Sequence, residues 1–168
     1  MKAMRVLAAG LLAATSIALV GPSTAVAGNE AATAGRPQPI DLPLRDLAKR
    51  HDLRIGTAVD MAALGSDTTY RDLVAREFSA VTAENAMKWE SLEPVRGQYN
   101  WGPADELVDF ARRNGQKVHG HTLLWHNQLP QWLTSGVADG SIDSAELREI
   151  VKDHIQTVVR HFRGKIWH

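Results

Sequence analysis

The sequence contains no cysteine, so no disulfide frames it and its stability has to come from packing. No Asn-x-Ser/Thr acceptor for N-glycosylation occurs. Excess charge of one sign is also missing, because 19 basic side chains balance 19 acidic ones. Without a basic stripe, nucleic acid and anionic lipid are excluded as expected partners. No Gly-x-Gly-x-x-Gly follows the first strand-like run, which removes the dinucleotide-binding fingerprint. The apolar run at 6–20 is 15 residues long, short of the ~20 needed to span a bilayer.

That run has a different reading. Lys2 and Arg5 precede it, and Ala25-Val26-Ala27 follows it as a small-x-small cleavage site. Residues 1–27 are therefore expected to be a secretory signal peptide, and the mature protein to be extracellular and free of the membrane. Its removal leaves 17 basic against 19 acidic side chains, a net charge of −2. Residues 28–43 are rich in Ala, Gly and Pro and lack an apolar period, which predicts a flexible leader.

From residue 44 the pattern alternates. A short helix is predicted at 44–51, with Leu44, Leu47 and Ala48 on one face. A strand at 55–59 ends at Asp60. A helix follows at 70–78 with Leu73, Val74 and Phe78 inward, then a strand at 78–83. Pro103 opens a helix at 103–114, and Gly115 suits the left-handed residue after its last turn. The run 117–124 reads as a third strand. Asp143 caps the final helix with Glu146 three residues on, an acidic variant of the capping box. Its apolar stripe runs through Leu147, Ile150, Val151, Ile155, Val158, Val159 and Phe162. After Gly164, 166–168 begins a fourth strand.

This βαβαβα order predicts an α/β fold with parallel strands and crossover helices. An open doubly wound sheet and an eight-stranded barrel share it. Polar and aromatic residues gather just past the strand ends, where barrel enzymes keep their chemistry.

Two segments carry that chemistry. In TAENAMKWESLEPVRGQYNW, Glu84, Asn85, Lys88 and Trp89 follow directly on a strand. A carboxylate, an amide and an ammonium match the paired donors and acceptors of sugar hydroxyls, and an indole suits the C–H face of a sugar ring. Against this stands a solvated loop with a few buried anchors. Glu90 and Glu93, beside Pro94, suit a structural role. In KVHGHTLLWHNQLPQWL, strand alternation would put His119, His121, Leu123 and Trp125 on one face. His119 reads best as an ordinary satisfied histidine. A competing reading takes His119 and His121 as a zinc pair, but neither Cys nor paired acids accompany them, so no cofactor or metal is expected.

Together these stretches, with IGTAVD at the first strand, resemble glycoside hydrolase family 10, the endo-1,4-β-xylanases. Glu-Asn-x-x-Lys-Trp, then Glu-Pro-x-x-Gly, then His-Thr-Leu-x-Trp-His is a specific combination, and the likeness covers 44–168. It implies a (β/α)8 TIM barrel, of which residues 44–168 supply the first three βα units and the start of strand four. It implies xylan or xylo-oligosaccharide as ligand, cleaved with retention. Glu84, Asn85 and Lys88 would bind xylose hydroxyls on the glycone side. His121 and Trp125 would contact the sugar at the cleavage point. Gln128 is a further glycone-side candidate, while Trp89 and Trp132 are expected to pack.

The resemblance also implies that both catalytic glutamates lie beyond His168. Retaining hydrolysis needs two carboxyl groups ~5–5.5 Å apart, and Glu84 alone is not a pair. These residues by themselves are thus expected to be inactive, and the open part-barrel to self-associate. Two alternatives remain: a non-catalytic xylo-oligosaccharide-binding fragment, and a metal-dependent barrel hydrolase using His119 and His121.

Overall fold

The computed structural model describes residues 41–167. The expected signal peptide, nearly all of the leader, and His168 lie outside the described residues.

Three strands form one sheet in the order β1-β2-β3, all parallel: β1 (Gly56–Val59), β2 (Ala80–Ala83) and β3 (Lys117–His119). The helices are α1 (Leu44–Lys49), α2 (Met61–Ser66), α3 (Thr68–Glu77), α4 (Trp89–Leu92), α5 (Gly102–Arg113), α6 (Gln131–Ala138) and α7 (Ser144–His161). Pairing sets Thr57 beside Val81 and Val81 beside Val118. Neighbours across a parallel ladder share a face, so this row and the Val59–Ala83 pair point one way. Val59, Val81, Ala83 and Val118 are buried on that face. The α5 residues Ala104, Leu107, Val108 and Ala111 belong to the same core, as do Leu64, Val74, Val158 and Phe162. The opposite face carries Ala58, Thr82 and His119 and is open. His119 is exposed, with Nδ1 3.3 Å from Thr82 Oγ1.

Local chemistry accounts for most boundaries. Asp60 and Asp67 cap α2 and α3 by accepting from Ala63 N and Tyr70 N at 2.8 and 3.0 Å. Gly115 takes φ +63° after α5, as its place past the last turn predicts. Below the sheet, the Arg45 guanidinium donates to the carbonyls of Ala75 and Asn114. The buried Gln116 amide donates to Val74 O and Phe78 O. Carbonyls that the helix ends leave open are thereby satisfied.

Four expectations need correction. The third strand stops at His119, where its pairing with Thr82 of β2 ends. His121, Leu123 and Trp125 therefore project from a loop, not from one strand face. Residues 166–167 form no strand, although Trp167 N donates to Val118 O at 2.9 Å and so runs beside β3. Asp143 caps α7 as predicted, accepting from Ala145 N and Glu146 N. The return half of the capping box is not made, because Glu146 pairs with Arg96 at 2.8 Å instead. Leu73 is exposed; Val74 alone of the predicted α3 trio is fully buried.

Leu107 has no exposed surface and sits where α5 meets the sheet. Leu107→Ala is expected to lower unfolding stability by about 2–5 kcal/mol, measured by urea denaturation. A loss under ~1 kcal/mol would place the core elsewhere.

Candidate functional site

The loops after β2 and β3 meet above the C-terminal ends of those strands. The loop after β2 leaves the sheet under control, since Glu84 N donates to Val59 O at 3.0 Å. A turn follows, closed by Lys88 N to Asn85 O at 2.9 Å, and Lys88 then enters α4. This places Glu84, Asn85 and Lys88 on one short arc.

Two linked clusters result. In the first, Lys88 is only 5% exposed. Its Nζ donates to Glu84 O at 2.6 Å and lies 5.8 Å from the Trp125 ring centre. A buried ammonium needs such partners, a carbonyl and an aromatic face. His121 stands 6.4 Å from Trp125 and 6.1 Å from His119, ring centre to ring centre. Its pKa is lowered, by partial burial first and then by the positive charges of Lys88 and His119. His121 is therefore neutral at neutral pH, able to donate from one ring nitrogen and accept at the other. The Glu84 carboxylate is exposed and enters no ion pair among the described residues.

In the second cluster the Gln128 amide donates to Asn85 Oδ1 at 3.0 Å and to Glu90 Oε1 at 3.1 Å. The main chain ties the same place, Glu90 N to Gln128 O at 3.0 Å. All six predicted residues, Glu84, Asn85, Lys88, His121, Trp125 and Gln128, thus fall in one rim made by two loops. An apolar cleft of about 250 Å³ adjoins His121, lined by Met87, Leu123, Val158, Phe162 and Ile166. Its lining is mainly apolar, with His121, Thr122 and Arg163 as its polar side chains.

Trp89 and Trp132 pack, as expected. Trp89 is 2% exposed and stacks on His154 at 4.0 Å. Trp132 meets it edge-on at 6.3 Å and donates Nε1–H to Glu93 O. The Glu93 carboxylate anchors them, accepting from Trp89 Nε1 and Gly97 N at 2.8 Å each and lying 3.2 Å from His154 Nδ1. Since a carboxylate only accepts, the His154 proton sits on Nδ1. Burial raises the Tyr99 pKa and the Glu93 charge adds to it. The contact of His154 with Glu93 escaped sequence analysis, because the two lie 61 positions apart. Among the described residues no group of three His, Cys, Asp or Glu side chains could hold a metal. His119 and His121 form only a pair.

Comparison with known proteins fits this arrangement. The profile of Glycosyl hydrolase family 10 matches residues 43–168. Endo-1,4-beta-xylanase B of Thermotoga neapolitana is 45% identical over 131 residues, 76% of this chain and 37% of its own length. Beta-1,4-xylanase of Dictyoglomus thermophilum is 47% identical over 98 residues, 58% of this chain and 26% of its own. The crystal structure of xylanase 10B from Thermotoga petrophila RKU-1 in complex with xylobiose superposes with a TM-score of 0.67 at 40% identity. It is matched over 79% of this chain and 39% of that one. This chain therefore spans well under half the length of these relatives.

Burial lowers the His154 pKa below 6.5; the Glu93 bond and charge oppose this, with a smaller opposing contribution from the Leu123 backbone. A depressed folded-state pKa means that the unfolded chain binds the proton more readily. Its stabilising effect is complete above about pH 6.5 and is lost as pH falls toward the depressed value. Urea midpoints are expected to drop between about pH 7 and 5, with a shallower slope in His154→Gln. Equal slopes in the two proteins would contradict the assignment.

Proposed function

The chain belongs to glycosyl hydrolase family 10, and on that basis we propose that residues 44–168 supply the sugar-holding wall of a secreted endo-1,4-β-xylanase. The fold is part of a TIM barrel, three parallel strands with their crossover helices, and the relatives are endo-1,4-β-xylanases. The observation that carries the reading is the rim at the ends of β2 and β3. It sets an exposed carboxylate, a buried ammonium and two amides beside an imidazole and an indole. That mixture suits a neutral polyol. Acceptors and donors alternate for ring hydroxyls, and the half-exposed Trp125 ring offers a face for a sugar ring.

The ligand is xylan or a xylo-oligosaccharide, in keeping with the xylobiose complex of the Thermotoga petrophila protein. Glu84, Asn85 and Lys88 hold hydroxyls on the glycone side, with His121 and Trp125 nearer the scissile bond. Hydrolysis with retention requires a nucleophile and an acid/base, two carboxyl groups ~5–5.5 Å apart. We assign neither role to a described residue: Glu93 is buried in packing and the Glu90 carboxylate receives the Gln128 amide. These residues alone therefore bind without cleaving. The same rim supports a second reading, a xylo-oligosaccharide-binding protein without hydrolysis.

Calorimetric titration of the full chain with xylotriose tests the binding role. Each charge-assisted hydrogen bond is worth ~1.5–3 kcal/mol, so Glu84→Ala and Lys88→Met are each expected to weaken binding by about tenfold or more. No xylotriose binding by the unaltered chain would overturn the proposal. Reducing-sugar release from xylan by this chain alone would overturn the absence of a catalytic pair.

A further inference from the structure

We propose that Glu90 is a positioning residue for this rim: its carboxylate fixes the orientation of the Gln128 amide, and through it that of Asn85, so that Asn85 turns N–H donors to the ligand. The proposal rests on the reading that the rim binds xylo-oligosaccharide.

The argument is one of hydrogen-bond polarity. A side-chain amide has two ends of opposite character and nearly equal shape, and only its partners decide which end points where. Main-chain groups are of fixed character, and so is an ionised carboxylate, which only accepts. Glu90 Oε1 lies 3.1 Å from the Gln128 side-chain nitrogen. The atom of Gln128 that meets Glu90 must therefore be the NH2 group, with its carbonyl turned away. That NH2 has a second hydrogen, and it meets Asn85 at 3.0 Å. The atom of Asn85 receiving it must be Oδ1. Asn85 is left with its two Nδ2 hydrogens, which have no partner among the described residues. Asn85 is exposed, so those donors are available to a ligand.

The same logic changes what Gln128 offers. Both of its N–H groups are engaged, so toward a sugar it presents only Oε1. Gln128 thus acts mainly on Asn85 and contributes at most an acceptor. The backbone supports a built arrangement. Gln128 is one of only two non-glycine residues with positive φ among the described residues, at +54°. A residue with a Cβ adopts that conformation at a cost and keeps it where neighbours hold it. Here Glu90 N holds it by donating to Gln128 O at 3.0 Å. Glu90 therefore grips Gln128 at both its main chain and its side chain. Sequence spacing suggests none of this: Glu90 lies 38 positions from Gln128.

Replacing Glu90 by glutamine keeps the shape and removes the obligate acceptor. In Glu90→Gln the chain of amides loses its fixed direction, and Asn85 spends part of its time with Oδ1 toward the ligand. The expected result is xylotriose binding weakened several-fold to about tenfold. The side-chain amide resonances of Asn85 and Gln128 in nitrogen-15 NMR spectra are expected to shift while backbone amides of the sheet stay in place. Affinity and amide resonances both unchanged would overturn the proposal. Asn85→Asp gives an independent test, because it keeps the acceptor that Gln128 needs and deletes the donors meant for the ligand. Its binding is expected to fall at least as far as that of Glu90→Gln. Retained affinity in Asn85→Asp would show that Asn85 offers no donor and would overturn the proposal by itself. Absence of binding in the unaltered chain would instead sink the underlying xylan reading, so the two failures are distinguishable.

Discussion

The buried carboxylate of Glu93 is the constraint around which the upper half of this chain is arranged. A carboxylate taken out of water is costly unless each oxygen finds donors. Here one oxygen takes Gly97 N and the other takes Trp89 Nε1, with His154 Nδ1 beside it. Each donor belongs to a different piece: the turn at Gly97, the first residue of α4, and the middle of α7. The carbonyl of the same residue receives Trp132 from α6. Replacing Glu93 by an apolar residue would strand three donors at once, and stranded buried donors cost more than the bonds themselves contribute.

The rim inherits its geometry from that node. Trp89 follows Lys88 directly, so fixing the indole fixes the backbone from which the buried ammonium springs. Trp132 follows Gln128 by four residues, so docking it sets the loop that reaches back to Asn85 and Glu90. The rim is polar and largely solvent-facing, and the framework behind it is aromatic and dry. Rigid support behind exposed donors lets a small polar site hold a defined shape without a deep pocket.

Much of this was legible in the sequence where its cause is local. Asp143 caps a helix because its oxygen reaches only two or three residues on, and Gly115 marks a left-handed turn because few other residues take that φ. The alternation of strands and helices survived for the same reason, each apolar face being written in its own period. The residues of the rim were legible through motif resemblance, which carries their order but not their contacts. The third strand was overextended because Leu123, Leu124 and Trp125 continue an apolar pattern after the backbone has turned away. Leu73 was placed inward by spacing, although α3 meets its neighbours with the adjoining Val74. Helix α6 was missed: its sequence, Gln131–Ala138, includes Gly136, a poor helix former. That glycine has a tertiary reason, since a Cβ there would lie 2.6 Å from Ile142 Cδ1. The reach of Glu93 to Trp132 and His154, and that of Glu90 to Gln128, span 38 to 61 residues and have no local cause.

The separations along the chain have a consequence for the order in which the molecule assembles. Glu90 meets Gln128 across 38 residues, Arg96 meets Glu146 across 50, and Glu93 meets His154 across 61. Contacts of long sequence separation form only after the entropy of closing the intervening loop has been overcome. The β1–β2 pairing closes a shorter span, Gly56 to Ala80, and the α2–α3 corner a shorter one still. The loop bearing Glu84 and Lys88 closes on itself and on β1. Glu93, just beyond it, gains its His154 partner only when α7, more than fifty residues downstream, is present.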